Sequence, residues 1–223
     1  MKKNTFLLAF ILLITMLFSG FTSGAQELYL VYLHSNPNRV KLPECDANAL
    51  QEGHMNNIER LYEEGKLILA GPFDGGGGLF VLKTKSYEEA LELLKTDPAI
   101  AANRFNVETM PLGIQKGMIC EQEEPYEMIQ FNFIEYRPVD GAEESIPYLD
   151  QMDHAKKEIV VFSAAISQED DRIGYITILP LDADAESYAE QAPVVVSGTH
   201  TFEVKKWWST DQTFCTDENK KLN

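Results

Sequence analysis

The sequence has few of the residues from which metal sites and nucleophilic active sites are usually built. It contains three cysteines and four histidines among 223 residues. Neither an HExxH motif nor a CxxC pair occurs, so the common patterns of a dedicated zinc site are absent. No Gly-x-Ser-x-Gly elbow occurs and no GxGxxG motif follows a predicted strand, which leaves acyl-enzyme and nicotinamide chemistry without support. We expect neither a bound metal nor an organic cofactor.

Basic residues are also scarce. The chain has 19 lysines and arginines against 35 aspartates and glutamates, a formal net charge of −16 at pH 7. A surface of this sign repels phosphate backbones and anionic lipid headgroups, which argues against nucleic-acid and membrane-surface partners. Because the surface is strongly negative, we expect the ligand or substrate to be a neutral or cationic small molecule.

The N-terminus holds the longest apolar run. Residues 1–25 begin with MKK, continue with an almost unbroken apolar run over Phe6–Phe18 and end in Ser-Gly-Ala. This order is typical of a signal peptide cleaved after Ala25. An uncleaved anchor is the alternative, but a membrane span needs about 18 or more apolar residues and this run is shorter. No cysteine follows the run, which excludes a lipoprotein anchor. We expect a secreted or periplasmic protein with no membrane association after cleavage.

The most informative stretch runs from Gly53 to Pro98. Four residues at helical spacing form one stripe: Leu50, His54, Ile58 and Leu61. The stripe predicts an amphipathic helix that carries a histidine on its apolar face. Gly65 then predicts the end of this helix, because glycine adopts the left-handed conformation without steric cost. Short strands are predicted at Leu67–Ala70 and Leu79–Leu82, joined by a Gly-Pro-Phe-Asp corner and a run of glycines.

This stretch, GHMNNIERLYEEGKLILAGPFDGGGGLFVLKTKSYEEALELLKTDP, resembles the YCII-related (YciI-like) family of small α+β proteins. The likeness rests on a histidine in the first helix, a Gly-Pro turn, an Asp-Gly before a strand and an Asp-Pro after the second helix. It covers about Leu28–Leu112. The resemblance implies a ferredoxin-like βαββαβ fold, pairing through the sheet and a His/Asp site that suggests an enzyme.

The pattern of the first half returns in the second. A strand, an acid-rich helix, a proline, a small-residue loop and a final strand follow both Gly78 and Gly174. We interpret the chain as a tandem pair, with a YCII-like domain over 26–114, a linker over 115–125, a degenerate second module over 126–209 and a tail over 210–223. The two modules are expected to pair as an internal pseudo-dimer resembling a dimeric α/β barrel, with two sheets face to face. The protein would then be a monomer, or a homodimer.

The second module is expected to lack the site. At the spacing of His54 it offers Ile146 or Pro147, and Ala192 precedes the proline where the first module has an aspartate. His154 is expected to be a solvated residue or one at a helix C-terminus. Two other histidines, His34 and His200, are also expected to be structural.

His54 has two interpretations, a buried histidine bonded to the backbone or a general base whose tautomer is fixed by a carboxylate. Asp74 is the preferred partner, although Asp-Gly is also a common turn. Asp97 is the competing partner, although it could serve only to satisfy backbone groups before Pro98. The candidate catalytic residues are therefore His54, Asp74 and Asp97.

The ferredoxin-like order also predicts a disulfide. Cys120 precedes the strand Met128–Tyr136 and Cys215 follows the strand Thr201–Trp208. The first and last strands of such a module are antiparallel neighbours, so the two tails leave the same edge and can bring the cysteines within about 7 Å. Cys45 would remain free.

Two functions compete at this point. The first is a cofactor-independent enzyme that transfers a proton, of isomerase or lyase type, on a small neutral organic molecule. The second is a secreted binding or scaffold module that has the fold without turnover.

Overall fold

The computed structural model describes residues 26–142, 148–167 and 172–215, and the predicted signal peptide lies outside them. Within these ranges the strands are β1 (Glu27–Ser35), β2 (Leu67–Pro72), β3 (Gly78–Thr84), β4 (Phe105–Lys116), β5 (Met118–Ile119), β6 (Met128–Pro138), β7 (Phe162–Ser167), β8 (Ile173–Pro180), β9 (His200–Thr210) and β10 (Phe214–Cys215). The helices are α1 (Glu44–Glu63), α2 (Tyr87–Lys95), α3 (Pro98–Ala101), α4 (Tyr148–Ala155), α5 (Ala185–Glu190) and α6 (Pro193–Val196). None of the helices described here has both the length and the apolar composition needed to cross a membrane.

The helix ends follow from local sequence. Gly65 has a φ of 65°, and Lys66 N donates to Leu61 O at 2.9 Å, so the predicted glycine cap of α1 is confirmed. Ser86 Oγ accepts a hydrogen bond from Glu89 N at 3.3 Å and caps α2.

Eight strands form one antiparallel sheet in the order β2-β3-β1-β4-β7-β8-β6-β9. The mixed α/β class with a large antiparallel sheet is therefore as expected. Two sheets packed face to face were expected, and this arrangement was wrong, because all eight strands belong to one continuous sheet. β4 is 12 residues long, so its first part pairs with β1 and its last part, from Leu112 to Lys116, pairs with β7. β4 also ends two residues inside the predicted linker.

The two end strands of this sheet meet each other. Phe73, just after β2, forms a bridge with Trp207 of β9, and Asp74 N donates to Lys206 O at 3.0 Å. Gly71 permits this approach, since a Cβ atom there would lie 2.1 Å from Trp208 O. The Gly-Pro-Phe-Asp corner thus joins the first half of the chain to the second.

The concave face of the sheet holds a core to which both halves contribute. Its buried members include Leu30 and Met110 from the first half and Phe131, Phe133 and Ile178 from the second. Separate clusters lie on the opposite face, under α1 and α2 in the first half and around α5 and α6 in the second.

The predicted disulfide is confirmed. Cys120 and Cys215 are bonded, with Cα atoms 6.1 Å apart. The segments that carry them pair as β5 and β10, and Cys120 N donates to Thr213 O at 3.0 Å. Cys45 is exposed and free, as predicted.

Replacing both Cys120 and Cys215 with serine should lower the free energy of unfolding by about 4–5 kcal/mol, because the bond closes a long loop in the unfolded chain. Urea unfolding of the oxidised protein and of the double variant measures this difference. Cys45→Ser is the matched control and should leave the midpoint unchanged. An unaltered midpoint in the double variant would contradict the stabilising role.

Candidate functional site

Helix α1 places His54 against the sheet. The buried residues of α1 are His54, Asn57 and Leu61, which share one helix face. His54 is 8% exposed, and its ring centroid lies 6.1 Å from that of Phe80 and 5.7 Å from that of Phe105. The histidine therefore belongs to the apolar stripe, as the periodicity predicts.

Asp97 is the partner of His54. Nδ1 of His54 lies 2.6 Å from Oδ2 of Asp97, whose side chain is 1% exposed. The other carboxylate oxygen caps α3 by accepting hydrogen bonds from Ala99 N at 2.8 Å and Ile100 N at 3.2 Å. An ionised carboxylate only accepts, so Nδ1 carries the hydrogen and donates it. The helix cap thus holds Asp97 in place, and Asp97 in turn orients the imidazole.

A polar network that the sequence reasoning missed surrounds this carboxylate. Asn57 Nδ2 lies 3.5 Å from Asp97 Oδ2, and Asn57 Oδ1 accepts a hydrogen bond from Arg60 Nη2 at 2.8 Å. Thr96 Oγ1 lies 2.9 Å from the same Asn57 oxygen. The sequence signal for this network was Asn57, a polar residue three positions after His54 on the same buried face of the helix.

Asp74 does not lie with His54, which corrects the preferred pairing. Its Oδ1 accepts a hydrogen bond from Trp208 Nε1 at 2.7 Å and its Oδ2 accepts one from Gln130 Nε2 at 2.9 Å. The β2–β3 turn lies at the edge of the sheet beside β9, whereas His54 packs on the outer face of β3. Asp74 is therefore a residue of the junction between the halves.

The second half has another arrangement at the corresponding place. Pro193 begins α6 as Pro98 begins α3, and Gln151 of α4 supplies an oxygen 3.4 Å from Val194 N. In the second half a single amide side chain, that of Gln151, thus contacts the short helix α6. In the first half His54 and Asp97 occupy the corresponding place beside α3. The sequence counterparts proposed for His54, residues 146 and 147, lie outside the described residues.

His154 lies in the last turn of α4, so the alternative of a histidine at a helix C-terminus is confirmed. The alternative of a solvated side chain was wrong, because His154 is only 5% exposed. Its ring centroid is 4.3 Å from that of Tyr188, and Tyr188 Oη donates to His154 O at 2.7 Å. Burial, together with the nearby Lys157 ammonium, lowers the pKa of His154 to about 4.

The other two histidines have partners typical of structural roles. His34 Nε2 lies 3.3 Å from Glu108 Oε2, and His200 Nε2 lies 2.7 Å from Ile173 O. Across residues 26–142, 148–167 and 172–215, no group of three or more His, Cys, Asp or Glu side chains is placed to hold a metal ion.

Two surface cavities open in the second half, of about 330 Å³ beside Asn132 and about 730 Å³ beside Trp208. His54 lines neither of them. The side chain of His54 is 10% exposed.

Comparisons with known proteins find similarity over part of the chain. Residues 28–111 match the sequence model of the YCII-related domain. The uncharacterized protein YjpA of Bacillus subtilis (strain 168) is 41% identical over 51 residues, which are 22% of this chain and 60% of that protein. The match thus spans less than two thirds of that relative.

Two crystal structures have a similar fold, both of proteins provisionally named monooxygenases. The one from Lactobacillus acidophilus NCFM has a TM-score of 0.45 and 11% identity, and the alignment covers 86% of this chain and 98% of that one. The one from Fusobacterium nucleatum subsp. nucleatum has a TM-score of 0.45 and 10% identity, with 89% and 99% covered.

The buried His154 makes stability depend on pH. An unfolded histidine has a pKa near 6.5, so below that pH the unfolded chain binds a proton that the folded chain excludes until about pH 4. Stability should therefore fall as the pH drops through this window. Between pH 7 and pH 5 the loss attributable to His154 is about 2 kcal/mol.

The variant His154→Phe keeps a ring against Tyr188 and removes the titrating group. Urea unfolding at both pH values should show a smaller decrease for His154→Phe than for the unmodified protein. An equal decrease in the two proteins would assign the acid sensitivity to other groups.

Proposed function

We propose that the His54–Asp97 pair, which lies within the residues 28–111 that match the model of the YCII-related domain, is a general base. The observation that carries the proposal is the 2.6 Å contact between His54 Nδ1 and a buried carboxylate held by the cap of α3. Such a contact leaves Nε2 of His54 as the unprotonated nitrogen of the neutral imidazole.

The proposed chemistry is proton transfer without a cofactor. Nε2 accepts a proton from a carbon or oxygen atom of the substrate, and the electron pair left behind moves into an adjacent carbonyl group or expels a leaving group. Asp97 stabilises the imidazolium that results, because its charge is buried beside Nδ1. In the first case the imidazolium returns the proton to a different atom of the substrate, which completes an isomerisation. In the second case the substrate loses the proton and the leaving group, which is an elimination.

The surroundings favour a small neutral substrate. The phenyl rings of Phe80 and Phe105 flank His54, so a substrate that reaches Nε2 meets apolar walls. The net charge of −16 also disfavours anionic compounds and nucleic acid.

We further propose that the second half is a degenerate second copy of the domain, and that the two copies form an internal pseudo-dimer of dimeric α/β-barrel type. Three observations support this: the repeated order of elements, the continuous eight-stranded sheet and the bridge between its end strands. A monomer is then sufficient for folding.

Export to the periplasm or outside the cell is also a proposal. The signal-like composition of residues 1–25 supports it, as does the bond between Cys120 and Cys215, since structural disulfides form in oxidising compartments.

Deuterium exchange tests the proposed base without knowledge of the natural substrate. The protein is incubated in D₂O with a panel of neutral carbonyl and halogenated compounds, and mass spectrometry detects deuterium on carbon or loss of the halide. His54→Gln should lower the rate by about 10²- to 10⁴-fold, the usual contribution of a general base.

Asp97→Asn should also lower the rate, because an amide does not stabilise the imidazolium. Asp153→Asn is the matched control and should leave the rate unchanged, since Asp153 is exposed on α4 in the second half. Equal rates for the unmodified protein and His54→Gln would contradict the proposal. Compounds that bind and return unmodified would instead indicate a binding module.

A further inference from the structure

The larger of the two surface cavities lies where β8 ends and β6 continues. The last pairing between these two strands joins Phe131 to Pro180, whereas β6 still pairs with β9 as far as Met128 and Thr210. A cavity of about 730 Å³ is bordered there by β6, β9 and the segment after β8. This volume lies within the range of about 300–1,000 Å³ that is usual for small-molecule sites.

The walls of this cavity are mainly apolar. Five apolar residues from β6, β8, β9 and the segment after β8 line it: Ile129, Phe131, Pro180, Leu181 and Trp208. Leu181 is 45% exposed, although it is a large apolar residue. A ligand with an apolar body would remove these side chains from water, which is favourable.

Two of the lining side chains are held in place by the junction between the halves. Gln130 and Trp208 are direct neighbours across β6 and β9, and they donate hydrogen bonds to Asp74 at 2.9 and 2.7 Å. A ligand that packs against the indole therefore meets a surface that is already ordered, and this order lowers the entropic cost of binding.

The charge at this cavity is negative. Among the described residues that line it, Asp182 is the one that carries a charge, and it is exposed. Its carboxylate has no hydrogen-bond or ion-pair partner within residues 26–142, 148–167 and 172–215. The lysines Lys205 and Lys206 of β9 line the smaller cavity instead, where Lys206 Nζ donates to Asn132 Oδ1. A cationic group would find an opposite charge beside an indole ring, and both attract cations.

We propose that this cavity binds a small organic cation whose charged group is carried on an apolar ring or chain. The apolar body packs against Pro180, Leu181 and Trp208, and the cationic group pairs with the Asp182 carboxylate. An uncharged or anionic compound of similar size lacks this ion pair. The His54–Asp97 pair does not line the cavity, so the proposal is independent of the proposed base.

The test uses benzyltrimethylammonium, benzyl alcohol and phenylacetate, which carry a cationic, a neutral and an anionic group on the same ring. Binding to the intact oxidised protein is followed by the ¹H–¹⁵N signals of the indole groups. The chain has two tryptophans, so the variant Trp208→Phe assigns both signals. Benzyltrimethylammonium should shift the Trp208 signal and leave that of the fully buried Trp207 in place. It should also bind more tightly than the other two probes.

Asp182→Asn should weaken benzyltrimethylammonium binding by about two- to fivefold, the range of one exposed ion pair, and leave benzyl alcohol binding unchanged. Asp182→Lys should reverse the preference in favour of phenylacetate. Asp153→Asn is the matched control, because it removes the same charge from the exposed surface of α4. An unshifted Trp208 signal in the unmodified protein, equal binding of the three probes, or equal affinities of Asp182→Asn and Asp153→Asn for the cation would each overturn the proposal.

Discussion

The contact of the Gly-Pro-Phe-Asp corner with β9 is the constraint on which the rest of this structure depends. Strand β4 already links the halves by pairing with β7, and the corner joins the two free ends of the same sheet. Asp74 holds the contact with both carboxylate oxygens, through Trp208 and Gln130. Because the ends meet, the concave face is enclosed and its side chains form one core shared by both halves.

The His54–Asp97 pair uses only part of this frame. The His54–Asp97 pair is local to the first half, since a four-residue helix and its aspartate cap position the carboxylate under α1. The ion pair of Glu108 with Arg137, in contrast, requires both halves, because it joins β4 to β6. The second half has Gln151 at the place where the first half has His54 and Asp97.

Local patterns predicted α1, α2, α5, most strands and the buried position of His54, because periodicity, caps and turn residues act over a few residues. The short helices α3 and α6 lie in segments predicted to be small-residue loops. The disulfide followed from strand order, which requires only neighbouring ends of one module. The partner of His54 was misjudged because the destination of Asp74 lies on a strand about 130 residues later. The burial of His154 was missed for a similar reason, since Tyr188 covers it from another helix. Contacts between distant segments leave no periodic signal.

Calorimetry of the Gly71→Ala variant tests the central role of the junction most directly. The added Cβ would lie 2.1 Å from the Trp208 carbonyl oxygen, so the corner must move away from β9. The account predicts one cooperative transition at a lower temperature, with a loss of about 2–3 kcal/mol, because both halves share the core that the junction encloses. An unchanged melting temperature, or two separate transitions of which one is unaltered, would show that the halves do not depend on this contact.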